Sequence, residues 1–255
     1  MTPDTPVAPA GNGQHPIVLV VLSANDLPAS SAFFAKVFGW KLQAFSTDHR
    51  VAISPPGPVI ALRSGLPEGF PAAVPFISTR DVRGTLQRLV AAGAAVEREP
   101  WTLPLVGTLA RFTDPGGTLY GLTDTSVPGG AATVPAPFGG SPRPPAGTLC
   151  SLEMHAPDGD AAGKWFGEHF GWGAAPTLPQ FVAFDPGAGI GGVFQSHTPA
   201  ARAMAYVYVE DVRAKLAEIE AAGGTRAGEP MSVPGLACFG YVREPSGTVM
   251  GLIGE

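Results

Sequence analysis

The chain repeats itself once, and that repeat limits the folds open to it more than any other feature. Asp26, Phe33, Gly39 and Trp40 of the first half recur as Asp158, Trp165, Gly171 and Trp172 in the second. Further along, Asp81-Val82-Arg83 recurs as Asp211-Val212-Arg213, and Ala91-Ala92-Gly93 as Ala221-Ala222-Gly223. Each half closes on a similar string, DPGGTLYGL at Asp114–Leu122 and EPSGTVMGL at Glu244–Leu252. Both strings read as a tight turn feeding a final strand, because Pro and Gly punctuate them and β-prone residues follow. So long a period indicates a duplicated domain, not a solenoid with repeats of roughly 20–50 residues. The expected organisation is a flexible polar tail over 1–15, a first domain over 16–125, a Pro/Gly/Ala-rich linker over 126–147 and a second domain over 148–255.

Within each half the order of elements repeats again. An apolar strand (Ile17–Ser23) precedes a helix opened by Asp26 and Pro28, with Phe33, Phe34, Val37 and Phe38 at helical spacing and Gly39 as its stop. Short strands are expected around Lys41–Phe45, Val51–Ser54 and Val59–Arg63. A second unit begins at Val74–Thr79, its helix starts after Asp81 and ends at Gly93, and strands near Val96–Leu103, Thr108–Thr113 and Thr118–Asp124 complete it. The second half matches, with strand Leu149–Ala156, helix Asp160–Phe170, strand Met204–Val209 and helix Val212–Ala222. Four β-α-β-β-β units result, an α+β arrangement.

Composition narrows the partners. Hydrophobic residues make up 45% of the 255, enough to fill two cores, and the net charge of −5 comes without any Lys/Arg cluster. Nucleic acid and anionic membrane both need a basic footprint, so neither is an expected partner. No apolar run approaches the roughly 20 residues of a membrane span, and Met1–Gln14 lacks the pattern of a secretory signal. Two distant cysteines, Cys150 and Cys238, fit an unstapled cytoplasmic protein.

The run from Asp26 through Phe33-Phe34 to FGW, with the DPxGxxxGL ending, resembles the vicinal oxygen chelate superfamily of glyoxalases, bleomycin resistance proteins and dioxygenases. The flavour is that of its tandem glyoxalase-like or hydroxylase-like group lacking the metal ligands. The resemblance implies paired units curled into eight-stranded half-open barrels, with helices outside and ligand inside. It also implies a metal held by three positions per half. In this sequence those are Leu19, Val74 and Gly121, then Ser151, Met204 and Gly251. None is His or a carboxylate, the donors such an ion needs, so no metal or other cofactor is expected. The five histidines show no metal spacing either.

Strand alternation identifies what faces inward beside those positions. These are Leu19, Val21 and Ser23; Val74, Phe76 and Ser78; Leu109 and Arg111; Ser151, Glu153 and His155; Met204, Tyr206 and Tyr208; and Phe239 and Tyr241. The resemblance further implies that the first unit of one half pairs with the second unit of the other. One cup would then join Ser23 to Tyr206, Tyr208, Phe239 and Tyr241; the other would join Ser151, Glu153 and His155 to Phe76, Ser78 and Arg111. Ligand contacts are expected at Tyr206, Tyr208, Phe239, Tyr241, Phe76, Ser151 and Ser23. Bland readings stand beside these: the tyrosines as β-prone filling, and His155 with Glu153 and Arg111 as a satisfied structural network. Phe33, Phe34, Trp165 and Phe166 read as core, and Trp101 as a rim residue.

Two functions follow. The first is a metal-independent binder of a small aromatic or natural-product-like molecule in a cup between the domains, as monomer or homodimer. The second is a metal-free isomerase, cyclase or lyase in which His155 and Glu153 move a proton and Arg111 stabilises the developing anion. A metal-dependent lyase or dioxygenase ranks below both.

Overall fold

The named strands of each half pair into a sheet of their own, and an isolated parallel bridge joins Ile17 of the first half to Gly189 of the second. The computed structural model describes residues 11–53, 57–104, 106–125, 132–138, 142–197 and 202–255. The first half runs β1 (Ile17–Ser23), α1 (Leu27–Phe38), β2 (Gln43–Ala44), β3 (His49–Ile53), β4 (Val59–Arg63), β5 (Ala73–Ser78), α2 (Val82–Ala91), β6 (Ala95–Leu103), β7 (Gly107–Thr113) and β8 (Leu119–Thr123). The second runs β9 (Leu149–His155), α3 (Gly159–Phe170), β10 (Gly173–Leu178), β11 (Phe181–Asp185), β12 (Gly192–Gln195), β13 (Ala203–Tyr208), α4 (Val212–Ala221), β14 (Thr225–Arg226), β15 (Met231–Val233), β16 (Ala237–Arg243) and β17 (Val249–Gly254).

Each helix starts for the same local reason. Asp26, Asp81, Asp158 and Asp211 have extended backbones, and each carboxylate accepts the amide three residues on, at Ala29, Gly84, Ala161 and Ala214. Gly39 and Gly171 end α1 and α3 in the left-handed region, at φ 71° and 68°, where glycine alone is unstrained. Trp40 and Trp172 follow. Each indole is buried and donates to the chain just ahead of the other half's first strand: Trp40 to Gly147 O at 2.7 Å, Trp172 to His15 O at 2.9 Å.

The sheets correct two expectations. Strand order is β2-β3-β4-β1-β5-β8-β7-β6 in the first and β10-β11-β12-β9-β13-β17-β16-β14 in the second, where β15 also pairs β16. Both are open paths with free edges, neither closed into a barrel nor strongly curled. The half-open barrels are therefore not present. Nor do units pair across halves: β1 lies antiparallel to β5, and β9 to β13. The physical reason is proximity along the chain, since a short loop over 64–72 returns β5 beside β1, and consecutive elements usually neighbour one another. The two candidate cups accordingly do not form as assigned; each half keeps its own inward residues.

What the halves exchange is helix packing. On α3, Trp165 and Phe166 lie against Phe112 and Tyr120 of the first sheet, ring centroids 6.3 and 4.8 Å apart. Reciprocally, Lys215 of α4 donates to Val37 O of α1 at 2.9 Å. One continuous apolar core draws on both halves, including Phe33, Phe34, Phe112, Tyr120, Phe166 and Phe194. The repeated turns also face each other's domains: Thr118 Oγ1 donates to His155 O at 2.5 Å, and Thr248 Oγ1 to Ser23 O. Of the expected tail, residues 1–10 lie outside the described residues, while Asn12 N donates to Gly171 O at 2.9 Å. Of the linker, 126–131 and 139–141 also lie outside them.

Candidate functional site

Two sheet faces turn away from the helices, and they differ in chemistry. Alternation places Ser151, Glu153 and His155 of β9 on the second sheet's face. Across the ladder, Ser151 opposes Tyr206, Glu153 opposes Met204, and Tyr206 and Tyr241 both oppose Gly251. Phe239, Tyr241, Ser151 and His155 are half-buried, whereas Glu153, Tyr206 and Tyr208 are buried.

Glu153 anchors this face. Its Oε2 accepts the Tyr206 hydroxyl at 2.7 Å, and that hydroxyl lies 3.3 Å from the Tyr241 hydroxyl. Burial lifts the Glu153 carboxyl above its ordinary range, opposed by the Tyr206 hydrogen bond and the charge of His197. Burial and the neighbouring carboxylate likewise push the Tyr206 hydroxyl up, so it remains a donor. The Tyr206 ring meets Phe239 and Tyr241 edge-on, centroids 6.3 and 6.2 Å apart.

Beside this chain lies a polar pair that sequence reading only half found. Gln195 of β12 is in register with His155, so both side chains leave the same face. Gln195 is fully buried, and neither amide atom has a hydrogen-bond partner; His155 Nδ1 is also buried and unpartnered. The alternation of Gly192–Gln195 carried the signal for Gln195, since it shares parity with Val193 opposite Glu153.

The first sheet's face holds Ser23, Phe76 and Arg111, apart from His155 and Glu153. Arg111 is engaged by Glu97 through Nε–Oε2 at 2.6 Å and Nη2–Oε1 at 3.0 Å. Phe70 and Trp101 flank its guanidinium, with centroids 5.2 and 5.8 Å away. Ser23 Oγ donates to Pro71 O at 3.1 Å. Phe76 joins Val21, Ala61, Val74, Leu109 and Leu119 in an apolar cluster separate from the main core. Two surface recesses, of about 370 and 320 Å3, lie off both faces, one beside Cys238 and Glu255, the other beside Asp114 and Trp165.

The residues present do not fit a metal of the kind the superfamily implies. Leu19 and Val74 in one sheet and Met204 in the other offer no suitable donor, and Ser151 only a hydroxyl. The remaining two of those positions, Gly121 and Gly251, leave no room for a side chain. A Cβ on Gly121 would sit 2.2 Å from the Phe76 ring, and one on Gly251 2.3 Å from the Tyr206 ring. Among the described residues, no group of three or more His, Cys, Asp or Glu could hold an ion. Nor is any helix among them long and apolar enough to cross a membrane.

Residues 16–121 match the family model of the Glyoxalase/Bleomycin resistance protein/Dioxygenase superfamily. Among curated proteins, the chain is 24% identical over 256 residues to the "Putative glyoxylase CFP32" of Mycobacterium tuberculosis, covering 92% of each. The same figures hold for its Mycobacterium bovis counterpart. Among solved structures it resembles the Mn(II)-bound glyoxalase from Novosphingobium aromaticivorans at 18% identity and a TM-score of 0.67, covering 94% of this chain and 82% of that one. It also resembles the 2,3-dioxygenase LapB from Pseudomonas sp. KL28 at 15% identity and a TM-score of 0.65, covering 96% and 93%.

Proposed function

The chain has the fold of the glyoxalase/bleomycin resistance protein/dioxygenase superfamily, and on that premise we propose that it binds a small, flat, uncharged aromatic or natural-product-like molecule without a metal. The face of the second sheet receives it. One observation carries the reading: Glu153, Tyr206 and Tyr241 form a connected polar chain within an aromatic wall, and His155 Nδ1 and the Gln195 amide beside it have no partner. Small-molecule sites combine an apolar and aromatic lining with a few convergent polar groups, and this face has both kinds of residue. Unsatisfied buried groups cost about 1–3 kcal/mol each, which a hydrogen-bonding ligand would offset. Phe239 and Tyr241 supply ring surface, and Ser151 and Tyr208 complete the wall.

Thermal-shift measurements with neutral polycyclic phenols, flavones and quinones test this. At least one class should raise the melting temperature of the wild type, and Tyr206→Phe and Glu153→Gln should each reduce that rise. A rise unchanged in both variants, or none with any class, would refute the assignment.

A second reading, metal-free proton transfer of isomerase, cyclase or lyase type, is favoured by the raised Glu153 carboxyl two residues from His155 on one strand face. Arg111, in the other sheet and paired with Glu97, takes no part in it. Solvent deuterium entering a bound ligand, lost in Glu153→Gln while binding persists, separates turnover from simple sequestration.

A further inference from the structure

The repeat creates two equivalent junctions, where the closing turn of one half meets the first helix of the other, and their side chains fill them differently. The backbone contacts match. Thr118 Oγ1 donates to His155 O and Thr248 Oγ1 to Ser23 O. Asp114 and Glu244 each accept the amide four residues on, at 2.8 and 3.0 Å. At the second junction, side chains complete the packing. Ser30 Oγ of α1 donates to Glu244 Oε2 at 2.9 Å, Ser246 Oγ donates to Glu244 Oε1, and the two hydroxyl oxygens lie 3.0 Å apart. Asn25 N donates to Ser246 Oγ at 3.0 Å. At the first junction the matching residues are Ala162, Gly116 and Pro157, which bring no hydroxyl and no such amide. Asp114 is also one methylene shorter than Glu244, and among the described residues no side chain donates to it. A recess of about 320 Å3 remains there, between Asp114 and Gly116 of the turn and Pro157, Ala162 and Trp165 around the start of α3.

We infer that this recess is a binding site for a small neutral molecule with hydroxyls on adjacent carbons, the edge of a polyol or sugar, seated where the second junction has the Ser30 and Ser246 hydroxyls. A carboxylate only accepts hydrogen bonds, and Asp114 is buried, so its open side calls for donors. The second junction shows which donors this geometry takes: two hydroxyls 3.0 Å apart on one carboxylate. A gauche vicinal diol presents its oxygens at that spacing on a single edge. A neutral donor suits the place better than a cation, because Arg202 Nη1 already lies 3.5 Å from Gly117 O on the same turn. The rest of the wall is apolar and receives the carbon skeleton. Trp165 is fixed there by its indole, which donates to Ala92 O at 3.0 Å, and Ala162 and Pro157 lie beside it. The recess is away from both sheet faces, so the site stands independently of the aromatic one proposed above.

Titration of the full chain with cis-1,2-cyclohexanediol, cyclohexanol and cyclohexylamine tests the assignment, read from the indole N–H resonance of Trp165, which is assigned by its loss in Trp165→Phe. The diol should shift that resonance saturably. It should bind about tenfold more tightly than cyclohexanol, the worth of one further hydrogen bond to a charged acceptor, and more tightly than cyclohexylamine. Ala162→Ser restores the hydroxyl that Ser30 supplies at the other junction, and Ala162→Leu fills the recess with carbon. Each should weaken diol binding about tenfold or more, while Glu153→Gln and Tyr206→Phe should leave it unchanged. Absence of a saturable shift, equal affinities for diol and cyclohexanol, tighter binding of cyclohexylamine, or full diol affinity in either Ala162 variant would each overturn the site.

Discussion

Gly251 and Gly121 explain more about this protein than any charged residue does. Each lies in register with an aromatic on the neighbouring strand, Gly251 with Tyr206 and Gly121 with Phe76. Each ring covers its glycine so closely that one added carbon would overlap it. The missing side chain at each of these positions and the aromatic character of each face are therefore one structural fact. Neither glycine needs a left-handed backbone, so the constraint is steric alone. Gly251→Ala should destabilise the fold by about 1–3 kcal/mol, the usual cost of overpacking a filled site, read from the urea midpoint. In the background Tyr206→Ala that cost should largely vanish, because the ring it collides with is gone; an undiminished cost there would mean the strain has another source. The sequence showed that both positions were glycine. It could not show that a ring from the next strand filled the space, because register is a property of the folded pair.

At the scale of elements, what could be read from sequence divides by range. Helix starts were visible because an aspartate caps its own next turn, and strand faces were visible because alternation is local. Which strands pair was not, and the expected exchange of units between halves failed for that reason. Turns stand between these cases. In the first repeated turn, Asp114 Oδ1 accepts Thr118 N at 2.8 Å, and burial raises its carboxyl from 3.8 to about 6 despite amide hydrogen bonds from Gly116, Gly117 and Thr118. A carboxyl with a raised folded pKa holds its proton longer folded than unfolded. Stability from this group is thus fully present below about pH 4 and falls as pH rises through about 6, by up to about 3 kcal/mol for a shift of about two units. Asp114→Asn keeps an acceptor oxygen but cannot ionise. The difference in unfolding free energy between wild type and Asp114→Asn should therefore change between pH 4 and 6.5, with the wild type losing ground. A difference independent of pH over that range would show that Asp114 titrates normally.

Across the whole molecule, the pseudo-symmetric contacts make each half a structural part of the other. The first helix of each half packs against the other half's second unit, Trp40 and Trp172 tether the strand entries opposite, and Thr118 and Thr248 bind the ends of β9 and β1. The apolar core that results belongs to neither half alone. Sheets that close separately could have unfolded separately; a shared core argues for one cooperative transition. Phe166 provides the test. It is fully buried on α3, stacks on Phe194 of its own sheet at 5.3 Å and contacts Tyr120 of the other at 4.8 Å. Phe166→Ala should cost about 3–5 kcal/mol, and hydrogen exchange should show that loss in amides of β7 and β8 as fully as in those of β12. Loss of protection confined to the second sheet would mean that the two halves are independent domains merely in contact. Equal loss would mean that the duplication produced one folding unit, in which neither sheet can be formed without the other half.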